Sequence, residues 1–319
     1  MAVAVSIGRA YGGHGAKQGN GGDGRAKPMR GDYAHPEAMA TVEWLYEHLD
    51  DPSIRIVDAR YGVRIGADGN LAAVTGRDAY REGHIPGAVF VDVMADLSDH
   101  EVPTRVVGLA DFEDLAARLG IADDTTVVAY DDAGGTWAAR LWWALRYYGH
   151  DAVKLLDGGL TRWLAQGLPV EGGVVEPVAA PGAFHGRIRS ELRVEAADVR
   201  CAIGESGTCI VDALPEAFFN GQARLYPTHR AGHIPTARNV PAPANLEAVS
   251  QTILPPHELS RVWDHVGLEL DTRVITYCGG GVFGSFDLFV LYVMGHENAA
   301  LYDASWMEWG ADPRLPIES

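Results

Sequence analysis

Cysteine is scarce in this chain. The three residues present among 319, Cys201, Cys209 and Cys278, are too few and too scattered for a disulfide framework, and no Cys-x-x-Cys pair offers a zinc site. Basic residues are also few: 26 Lys and Arg against 43 Asp and Glu leave a net charge of -17. That balance argues against nucleic acid or an anionic membrane surface as partner, since both need clustered cations. No apolar run approaches the roughly 18 residues of a membrane span. The amino-terminal segment lacks the apolar core of a secretory signal. A cytoplasmic protein that works on small molecules or on other proteins is expected, with no metal and no cofactor.

The first 33 residues lack apolar periodicity too. Stretches such as Gly12-Gly13-His14-Gly15 and Asn20-Gly21-Gly22-Asp23-Gly24 lose much backbone entropy on ordering and return little buried surface, so a disordered tail is expected over 1–33. Beyond it the hydrophobic content is ordinary, 47% of the chain, enough for about two domains with their own cores.

An internal duplication organises the rest. Ile56-Val57-Asp58-Ala59 recurs as Ile210-Val211-Asp212-Ala213, and Gly83-His84-Ile85-Pro86 as Gly232-His233-Ile234-Pro235. Val127-Val128-Ala129-Tyr130 recurs as Val274-Ile275-Thr276-Tyr277, Gly149-His150 as Gly295-His296, and Leu156-Asp157 before Trp163 as Tyr302-Asp303 before Trp309. Each half alternates short β-branched strands with helical patterns, the sign of an α/β fold with a mostly parallel sheet and helices on both faces. The boundaries expected are a first domain over 34–173, a proline-containing linker over 174–190, and a second domain over 191–319.

The second copy carries a feature the first lacks. Cys278 ends the apolar run Val274–Tyr277 and opens the turn Gly279, Gly280, Gly281, Val282, Phe283, Gly284, which leads into a helical pattern. A thiol at a helix mouth faces unpaired N–H groups and the positive end of the helix dipole, which favours its thiolate. The matching residue of the first copy is Asp131, followed by Asp132-Ala133-Gly134-Gly135-Thr136. A carboxylate cannot attack sulfur and repels an anionic donor, so chemistry is expected in the second half alone. Cys201 and Cys209 are expected to pack as small hydrophobes.

These motifs, with Arg81-Glu82-Gly83-His84-Ile85-Pro86-Gly87-Ala88, Leu155-Leu156-Asp157-Gly158-Gly159-Leu160 and the closing Ser305-Trp306 with Glu308-Trp309, resemble the two-domain rhodanese-type sulfurtransferases. The resemblance runs from about Pro36 to the carboxyl terminus. It implies two tandem rhodanese-like domains, the first inactive. Cys278 would accept sulfur from a small donor such as 3-mercaptopyruvate or thiosulfate, hold it as a persulfide within the N–H groups of Gly279 to Gly284, and pass it to a thiol or cyanide acceptor or a thioredoxin-like protein. A non-catalytic sulfur-carrier or binding module of the same fold is the alternative.

The donor loop departs from both familiar patterns. Thiosulfate-preferring relatives resemble Cys-Arg-Lys-Gly and mercaptopyruvate-preferring ones Cys-Gly-Ser-Gly, whereas this chain has Cys278-Gly279-Gly280-Gly281, with Phe283 in place of a usual Thr or Ser. Without loop cations a dianion is poorly compensated, which tilts the expectation toward a carboxylated thiol. An arginine usual after the second domain's Asp-Ala strand is missing, and Arg230, with Arg224 behind it, is the candidate for a donor carboxylate. His84 and Asp78 are possible first-domain contributors to a relay, although the repetition of His84 as His233 favours a structural role for both. Asp58 and Asp212 are expected to hold loop N–H groups, and Trp142, Trp143, Trp306 and Trp309 to pack in cores or between domains. Gly279-x-Gly281-x-x-Gly284 with Asp303 about twenty residues on also matches a dinucleotide fingerprint, but the chain lacks the rest of that sheet. A phosphatase loop would need arginine at Gly284.

Overall fold

Each half of the chain builds a five-stranded parallel sheet in the same strand order. The computed structural model describes residues 32–65, 71–175, 182–226, 228–269 and 271–319. The first half runs β1 (Met39–Ala40), α1 (Val42–Glu47), β2 (Ile54–Asp58), β3 (Tyr61–Ile65), β4 (Leu71–Thr75), α2 (Arg77–Glu82), β5 (Val89–Phe90), α3 (Leu109–Leu119), β6 (Thr126–Tyr130), α4 (Ala138–Tyr147), β7 (Val153–Leu156) and α5 (Gly159–Ala165). The second runs β8 (Arg193–Val194), α6 (Ala196–Ala202), β9 (Thr208–Asp212), α7 (Glu216–Phe219), β10 (Arg238–Asn239), α8 (Pro256–Trp263), β11 (Arg273–Tyr277), α9 (Val282–Val293), β12 (Ala299–Tyr302) and α10 (Ser305–Trp309). The sheets order as β1-β7-β6-β2-β5 and β8-β12-β11-β9-β10; the antiparallel hairpin β3–β4 belongs to the first half.

The duplicated motifs fall on matching hydrogen bonds. Asp58 lies opposite Tyr130 and Asp212 opposite Tyr277 in the central strand pairs. The hydroxyl of each tyrosine accepts the N–H of the isoleucine in the nearby His-Ile-Pro turn, Ile85 and Ile234, both at 3.1 Å. His84 and His233 donate their backbone N–H to Glu171 and Glu318 carbonyls. The turns repeat because each one clamps the end of a central strand to the segment that closes its domain.

The halves meet through the helices that follow their matching loops. The α9 helix is apolar nearly all round and is buried on almost every face. Trp142 of α4 meets Phe289 of α9 edge-on at 4.9 Å, and the Arg146 guanidinium lies 3.8 Å from the Tyr292 ring centre, contacts that add to area burial in a desolvated seam. Two carboxylates cross the boundary in opposite directions. Asp157 of the first half accepts the Ile253 N–H of the second at 2.8 Å, and Asp303 of the second accepts the Val106 N–H of the first at 2.6 Å.

Three details differ from the expectations. Tyr33, grouped above with the tail, donates its hydroxyl proton to the Leu254 carbonyl at 2.9 Å; residues 1–31 of that tail lie outside the described residues. Residues 182–190 pack back on the first half, where Phe184 is buried and the Arg187 and Arg189 N–H groups bond to Tyr148 and Tyr147 carbonyls. Cys201 is exposed rather than packed, because it falls on the solvent side of α6 while Val199 and Ala202 face inward; Cys209 is half-buried.

Candidate active site

Cys278 follows the last residue of β11 and is only 3% exposed, at the carboxyl end of a central parallel strand, where α/β sheets place their ligands. Gly281, at φ 77°, turns the chain into α9. A Cβ there would stand 2.7 Å from the Asp303 carbonyl oxygen and 2.8 Å from the Arg140 guanidinium, so glycine is required twice over. The loop is also pinned from below. The Ser305 hydroxyl accepts the N–H groups of Cys278 and Gly281 at 3.1 and 3.2 Å and donates to the Tyr302 carbonyl at 2.8 Å. Ser305 holds φ 53°, where its counterpart Gly159 holds 51°. A non-glycine residue in that region is strained, and the three hydrogen bonds of this serine offset the strain.

The N–H groups of Gly284, Gly280 and Phe283 act on the Cys278 sulfur and pull its ionisation down, while burial pushes it up. Burial dominates, so the thiol sits above its ordinary value, contrary to the ready ionisation expected from the helix mouth alone. Behind the loop lie two more buried acids. Burial raises Asp212 to about 7, against the pull of Tyr277 and the Leu214 N–H. Asp287 on α9 is held well above the usual carboxylate range by burial and by Asp212, with Asn245 bonding one of its oxygens at 3.1 Å. Negative charge is therefore costly throughout this pocket, and the N–H cradle is its main compensation.

The first half shows what that cradle accepts. Asp131 Oδ1 takes the N–H groups of Ala133 and Gly135, both at 2.8 Å, and Oδ2 those of Trp137 and Ala138 at 2.7 and 2.9 Å. The carboxylate at the cysteine's matching position fills its own ring of donors. In the first half the turn therefore holds a two-oxygen anionic group that branches from the side chain at the position matching Cys278.

The other expected residues scatter. Arg230 directs its guanidinium at four backbone carbonyls, those of Gly310, Leu315, Trp309 and Asp312, at 2.6 to 3.2 Å; it fastens the carboxyl-terminal segment with four of its five N–H donors, which leaves no fork for a bidentate hold on a substrate carboxylate. Arg224 is exposed. His84 is wholly buried, with Nδ1 on the Tyr80 carbonyl at 2.8 Å and Nε2 3.5 Å from Glu171. Asp78 stands on the open face of α2 beside Arg81 at 3.3 Å. The relay considered for these two is not assembled. Phe283 instead meets Trp137 of the first half edge-on at 5.8 Å, with Tyr61 at 5.0 Å from Trp137, an aromatic wall across the domain boundary. Asp58 and Asp212 accept the N–H groups of Arg60 and Leu214 at 3.0 and 2.8 Å, as expected.

Sequence reasoning missed Ser305 and Arg140. Ser305 was within reach, since Tyr302-Asp303-Ala304-Ser305 aligns with Leu156-Asp157-Gly158-Gly159 and a serine replacing a glycine at a turn asks for a reason. Arg140 pairs with Asp303 at 2.6 Å across the boundary, for which the sequence gives no signal. That pairing also removes Asp303 from any nucleotide role.

The comparisons agree with this geometry. The description "Rhodanese-like domain" matches residues 41–166 and 195–312. The chain belongs to the rhodanese-like family. It is 38% identical over 281 residues to the 3-mercaptopyruvate sulfurtransferase of Escherichia coli, covering 87% of this chain and 96% of that one. It is 32% identical to the sulfur carrier protein TtuD of Thermus thermophilus, covering 89% and 98%. The crystal structure of SseA from Escherichia coli, a 3-mercaptopyruvate sulfotransferase of the rhodanese fold, superposes with a TM-score of 0.73 at 35% identity over 84% of this chain and 98% of that one. This rhodanese-like chain is a sulfurtransferase of two tandem domains, as the duplicated motifs imply. Among its described residues no helix is long and apolar enough to cross a membrane.

Proposed function

We propose that Cys278 takes the sulfur of a small carboxylated thiol, of the 3-mercaptopyruvate kind, and holds it as a persulfide for a thiophilic acceptor. The observation that carries this is the equivalence of Cys278 and Asp131: one turn, closed in the first domain by its own carboxylate and offered in the second to the group that grows from a cysteine. The first domain then has no chemistry of its own and supplies Trp137 and Arg140 to the second. Thiosulfate is disfavoured because the loop brings no cation and the pocket already resists negative charge. Arg224 is the exposed cation of the neighbouring segment available to a donor carboxylate. The acceptor is a small thiol, cyanide or a thioredoxin-like dithiol, each able to attack the outer sulfur of a persulfide and leave Cys278 as thiolate.

Incubation with 3-mercaptopyruvate should add the mass of one sulfur atom to the Cys278 peptide and release pyruvate, with Cys278→Ser as blank. Turnover retained by Cys278→Ser would refute the assignment. A persulfide that forms but is never passed on would make the protein a carrier.

A further inference from the structure

The cradle lacks a proton donor of its own. Breaking the carbon–sulfur bond of a mercaptopyruvate-type donor leaves an enolate, which must be protonated before it departs as pyruvate. Gly280 and Phe283 offer no hydroxyl, and the hydroxyls around Cys278 are committed. Ser305 is held by three bonds, Ser285 donates to the Gly281 carbonyl at 2.6 Å, and Thr276 donates to the Gly284 carbonyl at 2.9 Å. Tyr277 sits under the loop, where its hydroxyl meets Ile234 and Asp212.

Tyr226 is different. Its hydroxyl stands over the loop from the outer side: a Cβ at Gly279 would lie 3.3 Å from it and one at Gly280 3.8 Å. No hydrogen bond joins that hydroxyl to a described residue, although the ring is half-buried and packed near His229 at 4.8 Å. Leu225 beside it crowds Gly279, so the segment rests directly on the loop. We propose that the Tyr226 hydroxyl is the general acid of the transfer step, supplying from outside the loop the proton that Gly280 and Phe283 cannot. This rests on the persulfide reading of Cys278.

The step balances. The Cys278 thiolate attacks the donor sulfur, the new S–S bond forms, and the electron pair of the broken C–S bond goes to the three-carbon fragment. Tyr226 gives that fragment its proton, completing pyruvate. The tyrosinate then recovers a proton from the S–H of the new persulfide, which the N–H cradle holds as an anion. Burial and the charge of Cys278 both raise the Tyr226 hydroxyl above its ordinary value, which makes it a weaker acid and, once spent, a stronger base toward the persulfide S–H.

The test is Tyr226→Phe, which keeps the ring, loaded in single turnover with two donors. With 3-mercaptopyruvate the rate of persulfide formation at Cys278 should fall about 100-fold, within the range of general-acid catalysis, with KM changed little. With inorganic polysulfide, whose leaving chain stays ionised and needs no proton, the rate should match wild type. Equal losses with both donors would assign Tyr226 to loop support and overturn the proposal, as would wild-type rates with both. A wild-type protein that loads from polysulfide but not from mercaptopyruvate also overturns it. A wild-type protein that gains no sulfur from either donor sinks the Cys278 reading itself, a separate and distinguishable failure.

Discussion

Arg140 of the first domain and Asp303 of the second form a 2.6 Å ion pair in which the two side chains are 3% and 0% exposed. Arg193 approaches the same carboxylate at 3.4 Å. Removing one member of a buried pair leaves an uncompensated charge, which costs about 3–5 kcal/mol. Arg140→Met should therefore lower the melting temperature sharply, and the double variant Arg140→Met/Asp303→Asn should cost less than the sum of the single changes. Additive losses in that thermodynamic cycle would mean the two groups are not coupled. Sulfur transfer should also slow in Arg140→Met, since the guanidinium abuts Gly281.

Ser305 gives a second test, because strain and hydrogen bonding there act in opposite directions. Ser305→Ala keeps the positive φ and removes the acceptor for two N–H groups, a loss of about 2–4 kcal/mol. Ser305→Gly loses the same bonds but relieves the strain, so it should melt above the alanine variant. Both should load sulfur roughly tenfold more slowly than wild type. An alanine variant that melts with the glycine variant would show that the φ carries no strain.

Asp131→Ala separates stability from catalysis. Four N–H groups would lose their acceptor in a buried turn, at a cost of about 3 kcal/mol or more. Transfer per folded molecule, measured well below the melting temperature, should stay near wild type. A large fall in that rate would give the first domain a chemical part.

Two pH dependences follow from the buried acids. Alkylation of Cys278 in the donor-free protein should have its midpoint above the ~8.5 of an ordinary thiol, because burial disfavours the thiolate; a midpoint below that value would show the N–H cradle prevailing over burial. For Asp212 the folded value of about 7 exceeds the unfolded ~3.9. Its protonated form is therefore favoured by folding, and the stabilisation is full below pH ~4 and lost as pH rises to 7. The melting temperature of wild type should fall by a few degrees relative to that of Asp212→Asn as pH rises across that window. A constant gap would mean that Asp212 titrates normally.

The fold was legible because the duplication repeats whole hydrogen-bonded units. Ile85 and Ile234 each need a tyrosine at a strand end, so the His-Ile-Pro turns and the strand ends recur together. The contrast of Cys278 with Asp131 at matching strand ends was legible too. What escaped were groups whose importance arises only between domains or between distant segments. Arg140 lies within an apolar helix where a charge reads as solvent-facing, and its partner is 163 residues away. Arg230 misled because it was the nearest arginine to stand in for the one missing after the second domain's Asp-Ala strand, whereas carboxyl-terminal carbonyls take four of its five donors. The ionisation of Cys278 was misjudged because a helix mouth can be read from sequence and the depth of burial cannot.

The crossed bonds of Asp157 and Asp303 have a consequence for the history of the chain. Each copy finishes a loop in the other, so a descendant that discarded its first half would strand a buried carboxylate and leave a backbone amide without its acceptor. Reciprocal dependence of this kind makes either duplicate hard to lose, whatever share of the chemistry it carries.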